Sequence, residues 1–311
     1  MEYRKLGNTS MTVSAIGFGA SSLGGVFHSL DEKEGVKAVH TAVDCGINFI
    51  DVSPYYGHYK AETVLGKALK DIPHEGKYYI STKVGRYGKD GVNTWDYSAK
   101  RAVESVYESM ERLNIDYIDL INVHDIEFAD LELVCNETIP ALVELKSQKI
   151  VKYVGITNLT LRHLEYVIKH VPAGTIDTVM SFCHYCLNDN SLEDSLDLFE
   201  KYSVGVINAS PFAMGLLTER GAPAWHPATE RLKDLCRKAV EHCRLQGKSI
   251  EQLALKYSTM NNRIATTLFS TTRPDAVIRN IEWLEKDFDS KLYDEVRKIL
   301  EPRFRDTWLN S

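Results

Sequence analysis

Four residues of titratable type fall at or near the ends of three apolar runs. Asp51 closes INFID (47–51), Tyr56 follows it in the next turn, Lys83 stands near the end of YYISTKV (78–84), and His124 closes YIDLINVH (117–124). The chemistry of the four types is complementary. A phenol titrates at about 10 and is a poor base at neutral pH. An adjacent ammonium favours the phenolate and lowers that pKa, and a carboxylate pairs the ammonium and holds it in place. An imidazole can orient a substrate oxygen. Such a set suits proton transfer at a carbonyl or alcohol oxygen, as hydride transfer requires. It does not suit acyl transfer, because no Ser or Cys stands beside an activating base. Taken singly, each residue has an ordinary reading: Asp51 as a turn cap, Tyr56 as packing, Lys83 as a paired rim charge, His124 as a hydrogen-bonded structural histidine. Their coincidence at adjacent strand ends favours a site.

The elements that must position them repeat along the chain. Eight short runs, apolar on both faces, read as strands: 14–20, 47–51, 78–84, 117–124, 151–157, 175–181, 204–210 and 264–270. Amphipathic stretches alternate with them. DEKEGVKAVHTAVDCG (31–46) opens on Asp31 and closes on Gly46, and SAKRAVESVYESMERLN (98–114) carries apolar residues at helical spacing; further patterns begin near 133, 160, 191, 230 and 274. This alternation predicts an α/β fold, one (β/α)8 TIM barrel spanning residues 1–311 as a single domain. An N-terminal β-hairpin turning at Gly7-Asn8 is placed at the barrel floor, and the C-terminus adds an extra helix and tail. A barrel carries its chemistry at the C-terminal ends of its strands, where the four titratable residues lie, and where the loop 210–230 follows the seventh strand.

Composition narrows the class. The chain has 311 residues, 44% hydrophobic, with a formal net charge of −6, which argues against nucleic-acid or anionic-membrane partners. No run approaches the roughly 18 apolar residues of a membrane span, and MEYRKLGNTSMTVS reads as no targeting leader. Six cysteines read as reduced thiols of a cytoplasmic protein. The pair Cys183 and Cys186 is placed on a strand, pointing to opposite faces, so no metal is expected; a sensitivity of this pair to oxidation is entertained. Oligomeric state is left as monomer or dimer.

The blocks GFGASSLGG, NFIDVSPYYG, STKVG, INVHDIE, YVGITN, SPFAMGLL and FSTTRPDAVIRN resemble, in order and over essentially the whole chain, those of the aldo-keto reductase family. That resemblance implies a (β/α)8 barrel binding an extended nicotinamide dinucleotide. It implies a catalytic tetrad of Asp51, Tyr56, Lys83 and His124, with Tyr56 transferring the proton. It implies cofactor contacts at Gly19, Ala20, Ser21, Asp51, Thr157, Asn158, Ser181, Ser210, Phe212, Gly215, Ser270, Thr272, Arg273, Val277 and Asn280, with Leu217 a weaker match. Members commonly have Asp-Thr-Ala where this chain has Asp51-Val52-Ser53, and often a Gln where Ser181 stands. The Lys and Arg by which NADP-binding members hold the 2′-phosphate fall on Ser270 and Ala276, so NAD is the expected cofactor.

The variants DVSPYYG, VHDIEF and DTVMSFCHYCL resemble a sugar-oxidising branch of the family. This implies NAD-linked oxidation of the anomeric hydroxyl of L-galactose to its lactone, on the route to ascorbate. Tyr56 and His124 would meet the reacting oxygen, and the polar or aromatic walls are sought among Tyr55, His58, Trp95, Tyr185, His184 and Asn188. Two alternatives stand beside it: an NADP-linked aldehyde or sugar reductase of the same fold, and a non-catalytic regulatory subunit such as the family's potassium-channel β subunits.

Overall fold

A computed structural model describes residues 1–26, 30–88, 94–306 and 308. The first two strands, β1 (Tyr3–Lys5) and β2 (Thr12–Ser14), pair antiparallel with Tyr3 opposite Ser14. Their turn has Gly7 at φ +55°, and a Cβ there would lie 2.3 Å from the Gly205 amide nitrogen, so only glycine lets the hairpin seat against the start of a barrel strand. Leu6, Met11 and Val13 of this hairpin are buried with Phe49, Leu120, Met180, Ile207 and Leu268, forming the apolar plug expected at the floor.

Eight parallel strands close the barrel: β3 (Ile16–Gly19), β4 (Phe49–Asp51), β5 (Tyr79–Val84), β6 (Ile118–Val123), β7 (Val151–Asn158), β8 (Thr178–Phe182), β9 (Gly205–Ala209) and β10 (Thr266–Phe269), with β10 joined to β3. Each coincides with one of the eight apolar runs, β7 and β8 ending one residue beyond theirs. Alternation along β6 shows why the runs are apolar on both faces: Leu120 faces the plug, whereas Ile121 and Val123 pack beneath the surrounding helices.

Helix Glu32–Asp44 starts where Asp31 accepts from the Lys33 and Glu34 amides, and helix Ala99–Leu113 starts at Ser98 and stops at Asn114, which takes φ +55°. Two barrel helices escaped the sequence reading. Lys60–Leu69 follows Tyr59, which has φ +70° and makes no side-chain cap, so its start carries no sequence signal. Ile250–Thr259 follows closely on the longer helix Glu230–Leu245 and was masked by it. It is the shorter helix that packs toward the strands, placing Leu255 with Ile16, Phe18 and Phe269. The longer one shares its apolar face, Leu232, Cys236 and Ala239, with Leu292 and Val296 of the C-terminal helix Ser290–Leu300. Among the described residues no helix is long and apolar enough to cross a membrane.

Candidate active site

Strand register brings the four titratable residues together. Asp51 lies opposite Ser81, and Lys83 opposite Asn122. Because side chains alternate along a strand, Ser81 and Lys83 share one face, toward Asp51. Lys83 Nζ donates to Asp51 Oδ2 at 2.5 Å and to the Val52 carbonyl at 2.8 Å. Ser81 Oγ donates to the other carboxylate oxygen at 2.7 Å, and Asn122 Nδ2 donates to Ser81 Oγ at 2.9 Å. Asp51 and Lys83 are buried. Burial raises the Asp51 carboxyl above its usual value, and Lys83 and Ser81 offset only part of that rise. Mutual attraction and the hydrogen bonds that fill the remaining lone pairs offset the cost of burying such a pair.

Tyr56 projects from the turn after β4, where its amide donates to the Ser53 carbonyl at 3.1 Å and Gly57 takes φ +63°. A Cβ at Gly57 would lie 2.1 Å from the Gly24 carbonyl oxygen, so glycine lets this turn close against the segment after β3. The Tyr56 ring centroid is 5.2 Å from Lys83 Nζ and 5.9 Å from the His124 ring, which it meets edge-on at 90°. The tetrad therefore converges. One expectation fails: burial, with Asp51 and Asp125 nearby, pushes the Tyr56 phenol well above its ordinary value instead of below it. Desolvation of the phenolate and the two nearby carboxylates outweigh the lowering by the Arg86 guanidinium.

His124 is buried, and burial beside Lys83 and Arg86 drives its pKa well below that of a free imidazole, so the ring is neutral. Its Nδ1 lies 3.1 Å from Ser53 Oγ, and its Nε2 lies 3.5 Å from Asp125 Oδ1. Tyr97 Oη donates to both the His124 and Asp125 carbonyls, at 2.8 and 2.9 Å, fixing the backbone that carries the imidazole.

Arg86 was not found from the sequence. Its guanidinium lies 3.4 Å from the centroid of Tyr55, 4.3 Å from Trp95 and 5.8 Å from Phe128, and Nη1 bonds Asp125 Oδ2 at 2.7 Å. It thus joins two of the candidate sugar-binding rings, Tyr55 and Trp95, to the residue next to His124. Tyr55 is 6.3 Å from the His124 ring. The useful signals were Asp125 directly following His124 and an arginine three positions after Lys83.

Other candidates sit elsewhere. His58 is exposed on the turn, at φ +55°. Tyr185 is buried in a stack with Tyr257, which in turn stacks on Tyr293, so its ring is turned to the helix layer and not to His124. His184 is consumed by Leu159 O at 2.6 Å, Ser191 Oγ at 2.9 Å and Asp189 Oδ2 at 3.1 Å. Asn188 is buried, with Oδ1 accepting from Cys186 Sγ. Cys183 and Cys186 lie beyond β8 and not on it; both are buried, and burial pushes both thiols well up, which disfavours the thiolate that oxidation requires.

The cofactor candidates form a rim. Ser270 Oγ bonds Ser21 Oγ at 3.0 Å and the Ser22 amide at 2.9 Å, knitting the loop after β10, which leads to Thr272, to Ala20 and Ser21 after Gly19. Thr272, Val277 and Asn280 are buried; Arg273 is exposed and bonded to Asp275 at 2.5 Å. On the other side, Thr157 and Asn158 end β7, with Asn158 opposite Ser181. Asn158 is already engaged, accepting from the Glu127 amide at 2.9 Å and donating to Thr160 O at 3.0 Å. Ser181 Oγ is buried without a partner, an uncommitted hydroxyl where a nicotinamide amide would bond, and this fits a dinucleotide. Ser210 (φ +63°), half-buried Phe212 and Gly215 (φ +104°) shape the turn after β9.

Known proteins are similar to this chain over much of its length. An L-galactose dehydrogenase from Arabidopsis thaliana is 46% identical, covering 99% of this chain and 97% of that one. A D-arabinose 1-dehydrogenase from Saccharomyces cerevisiae is 31% identical over 73% of this chain and 70% of its own. The solved holo form of an aldo-keto reductase from Bacillus halodurans superposes with a TM-score of 0.79 at 27% identity, covering 96% of both chains. Residues 15–301 match the Aldo/keto reductase family, and the chain belongs to it.

Proposed function

We propose that this protein oxidises the anomeric hydroxyl of L-galactose to L-galactono-1,4-lactone with NAD as acceptor, an oxidation on the route to ascorbate. The observation that carries the reading is the convergence of Asp51, Tyr56, Lys83 and His124 at one rim, in a chain so similar over its whole length to a sugar dehydrogenase. When bound, the dinucleotide would supply the hydride acceptor; Thr157 and Ser181, with Asn158 once it exchanges one of its present bonds, would hold the nicotinamide end, residues 210–215 the middle and residues 270–280 the adenosine end.

The chain's own residues handle the proton. Tyr56 takes it from the substrate hydroxyl. An ammonium has three N–H groups; Lys83 gives two to Asp51 and Val52, and the third steadies the developing phenolate. The neutral imidazole of His124 holds the substrate oxygen, and Asp51 keeps Lys83 in place. Tyr55, Arg86 and Trp95 form the wall for the remaining hydroxyls, with stacked rings and guanidinium donors suited to a neutral polyol.

NAD is favoured over NADP because the three positions that would meet a 2′-phosphate carry no free cation: Ser270 is tied to Ser21 and Ser22, Ala276 is buried, and Arg273 is neutralised by Asp275. All six cysteines are free thiols, which supports the cytoplasm as its compartment. The test is a panel of L- and D-hexoses with NAD⁺ and NADP⁺, following reduced cofactor by absorbance. Turnover of L-galactose with NAD⁺ upholds the reading; no turnover of any L-sugar removes it.

A further inference from the structure

Ser53 lies in the turn between Asp51 and Tyr56, fully buried, where the commoner family block has alanine. Its Oγ accepts from the Tyr55 amide at 3.2 Å and lies 3.1 Å from His124 Nδ1. A serine hydroxyl has one proton, and among the described residues the acceptor in reach of this one is His124 Nδ1. The imidazole is neutral and so has a single N–H to place.

We propose that Ser53 is a positioning residue that fixes the tautomer of His124, donating to Nδ1 and thereby leaving the proton on Nε2. In the opposite tautomer Nδ1–H would donate to Oγ, and the buried serine proton would be stranded without an acceptor. The far side of the ring agrees. Nε2 lies 3.5 Å from Asp125 Oδ1, whose carboxyl is paired with Arg86, and a proton on Nε2 meets that oxygen favourably where a lone pair would oppose it.

The consequence for the reaction rests on the function proposed above. With Nδ1 occupied, Nε2 is the nitrogen left for the substrate, whose oxygen would replace the long 3.5 Å contact to Asp125, and it can only donate. The substrate oxygen then accepts from His124 and must turn its own proton elsewhere, to Tyr56. The serine thus directs the proton to the phenol without touching substrate.

The test is heteronuclear NMR of the ligand-free protein labelled in both histidine ring nitrogens, with the His124 signals assigned by their loss in His124→Gln. The wild type is expected to show Nε2–H. Ser53→Ala is expected to shift the population toward Nδ1–H, and Ser53→Thr, which keeps the hydroxyl, to restore Nε2–H. In parallel, kcat for L-galactose should fall in Ser53→Ala by roughly tenfold to a hundredfold with KM little changed, the usual cost of losing the bond that orients a working imidazole. A wild-type Nδ1–H tautomer, or a tautomer that Ser53→Ala leaves unmoved, overturns the proposal. The NMR arm needs no sugar, so it decides the role of Ser53 even if L-galactose is not the substrate.

Discussion

Lys83 Nζ lies 2.5 Å from Asp51 Oδ2, and the two are sealed from water at the end of adjacent strands. Neither charge has a second partner of opposite sign in this pair, so each depends on the other. Asp51→Asn leaves a buried ammonium uncompensated and is expected to cost about 3–5 kcal/mol of unfolding free energy. Denaturant titration measures it; a loss below about 1 kcal/mol would show that the pair does not hold the site together.

Arg86 links the aromatic wall to Asp125 through one hydrogen bond and three ring faces. Arg86→Ala should raise KM for L-galactose about tenfold while lowering kcat less, the pattern of lost ground-state binding. Arg86→Lys should not restore KM, because an ammonium cannot stack between Tyr55 and Trp95 while bonding Asp125. Steady-state kinetics over the two variants checks this, and an unchanged KM in Arg86→Ala would place the sugar elsewhere.

The pairing of Arg273 with Asp275 gives the cofactor preference a handle. Asp275→Asn combined with Ser270→Lys frees one cation and adds another beside the expected 2′-phosphate. Two charge-assisted contacts should tighten NADP⁺ by at least about tenfold relative to NAD⁺. Equilibrium titration of both dinucleotides reads the ratio directly, and no change would mean that this loop does not meet the adenosine end.

Glu127 supplies a pH dependence. Burial, then Asp125, pushes its carboxyl from 4.5 up to about 7, and its Oε2 has no partner. Between those values the folded chain binds more protons than the unfolded one, so stability falls as pH rises through this window. The contribution is intact below 4.5 and lost above about 7. Glu127→Gln should therefore raise Tm relative to the wild type on the alkaline side and make little difference on the acid side. A Tm difference independent of pH would contradict the shift.

The strands were readable because burial on both faces leaves continuous apolar runs, and Asp51, Lys83 and His124 stood out because charge at such a run's end is unusual. What was hidden depended on the third dimension. Lys60–Leu69 begins after an uncapped Tyr59, so no local chemistry marks it. Arg86 becomes part of the site only when it pairs antiparallel with Trp95 and when Tyr55 and Phe128 arrive from two other loops. Tyr185 follows a barrel strand as a substrate residue would, yet its ring turns outward to Tyr257. The direction of the Tyr56 shift was misjudged because residue type reveals the neighbouring ammonium but not the burial of the phenol or the carboxylates of Asp51 and Asp125 beside it.

In the proposed reaction Tyr56 moves the proton of an anomeric hydroxyl. The most direct measurement is the rate of NAD⁺ reduction by L-galactose in wild type and Tyr56→Phe, a change that removes one hydroxyl and keeps the ring beside His124. General acid–base groups contribute about 10²–10⁴-fold. A fall of at least about 10² in kcat, with cofactor affinity unchanged, is predicted; near-normal turnover in Tyr56→Phe would contradict the account.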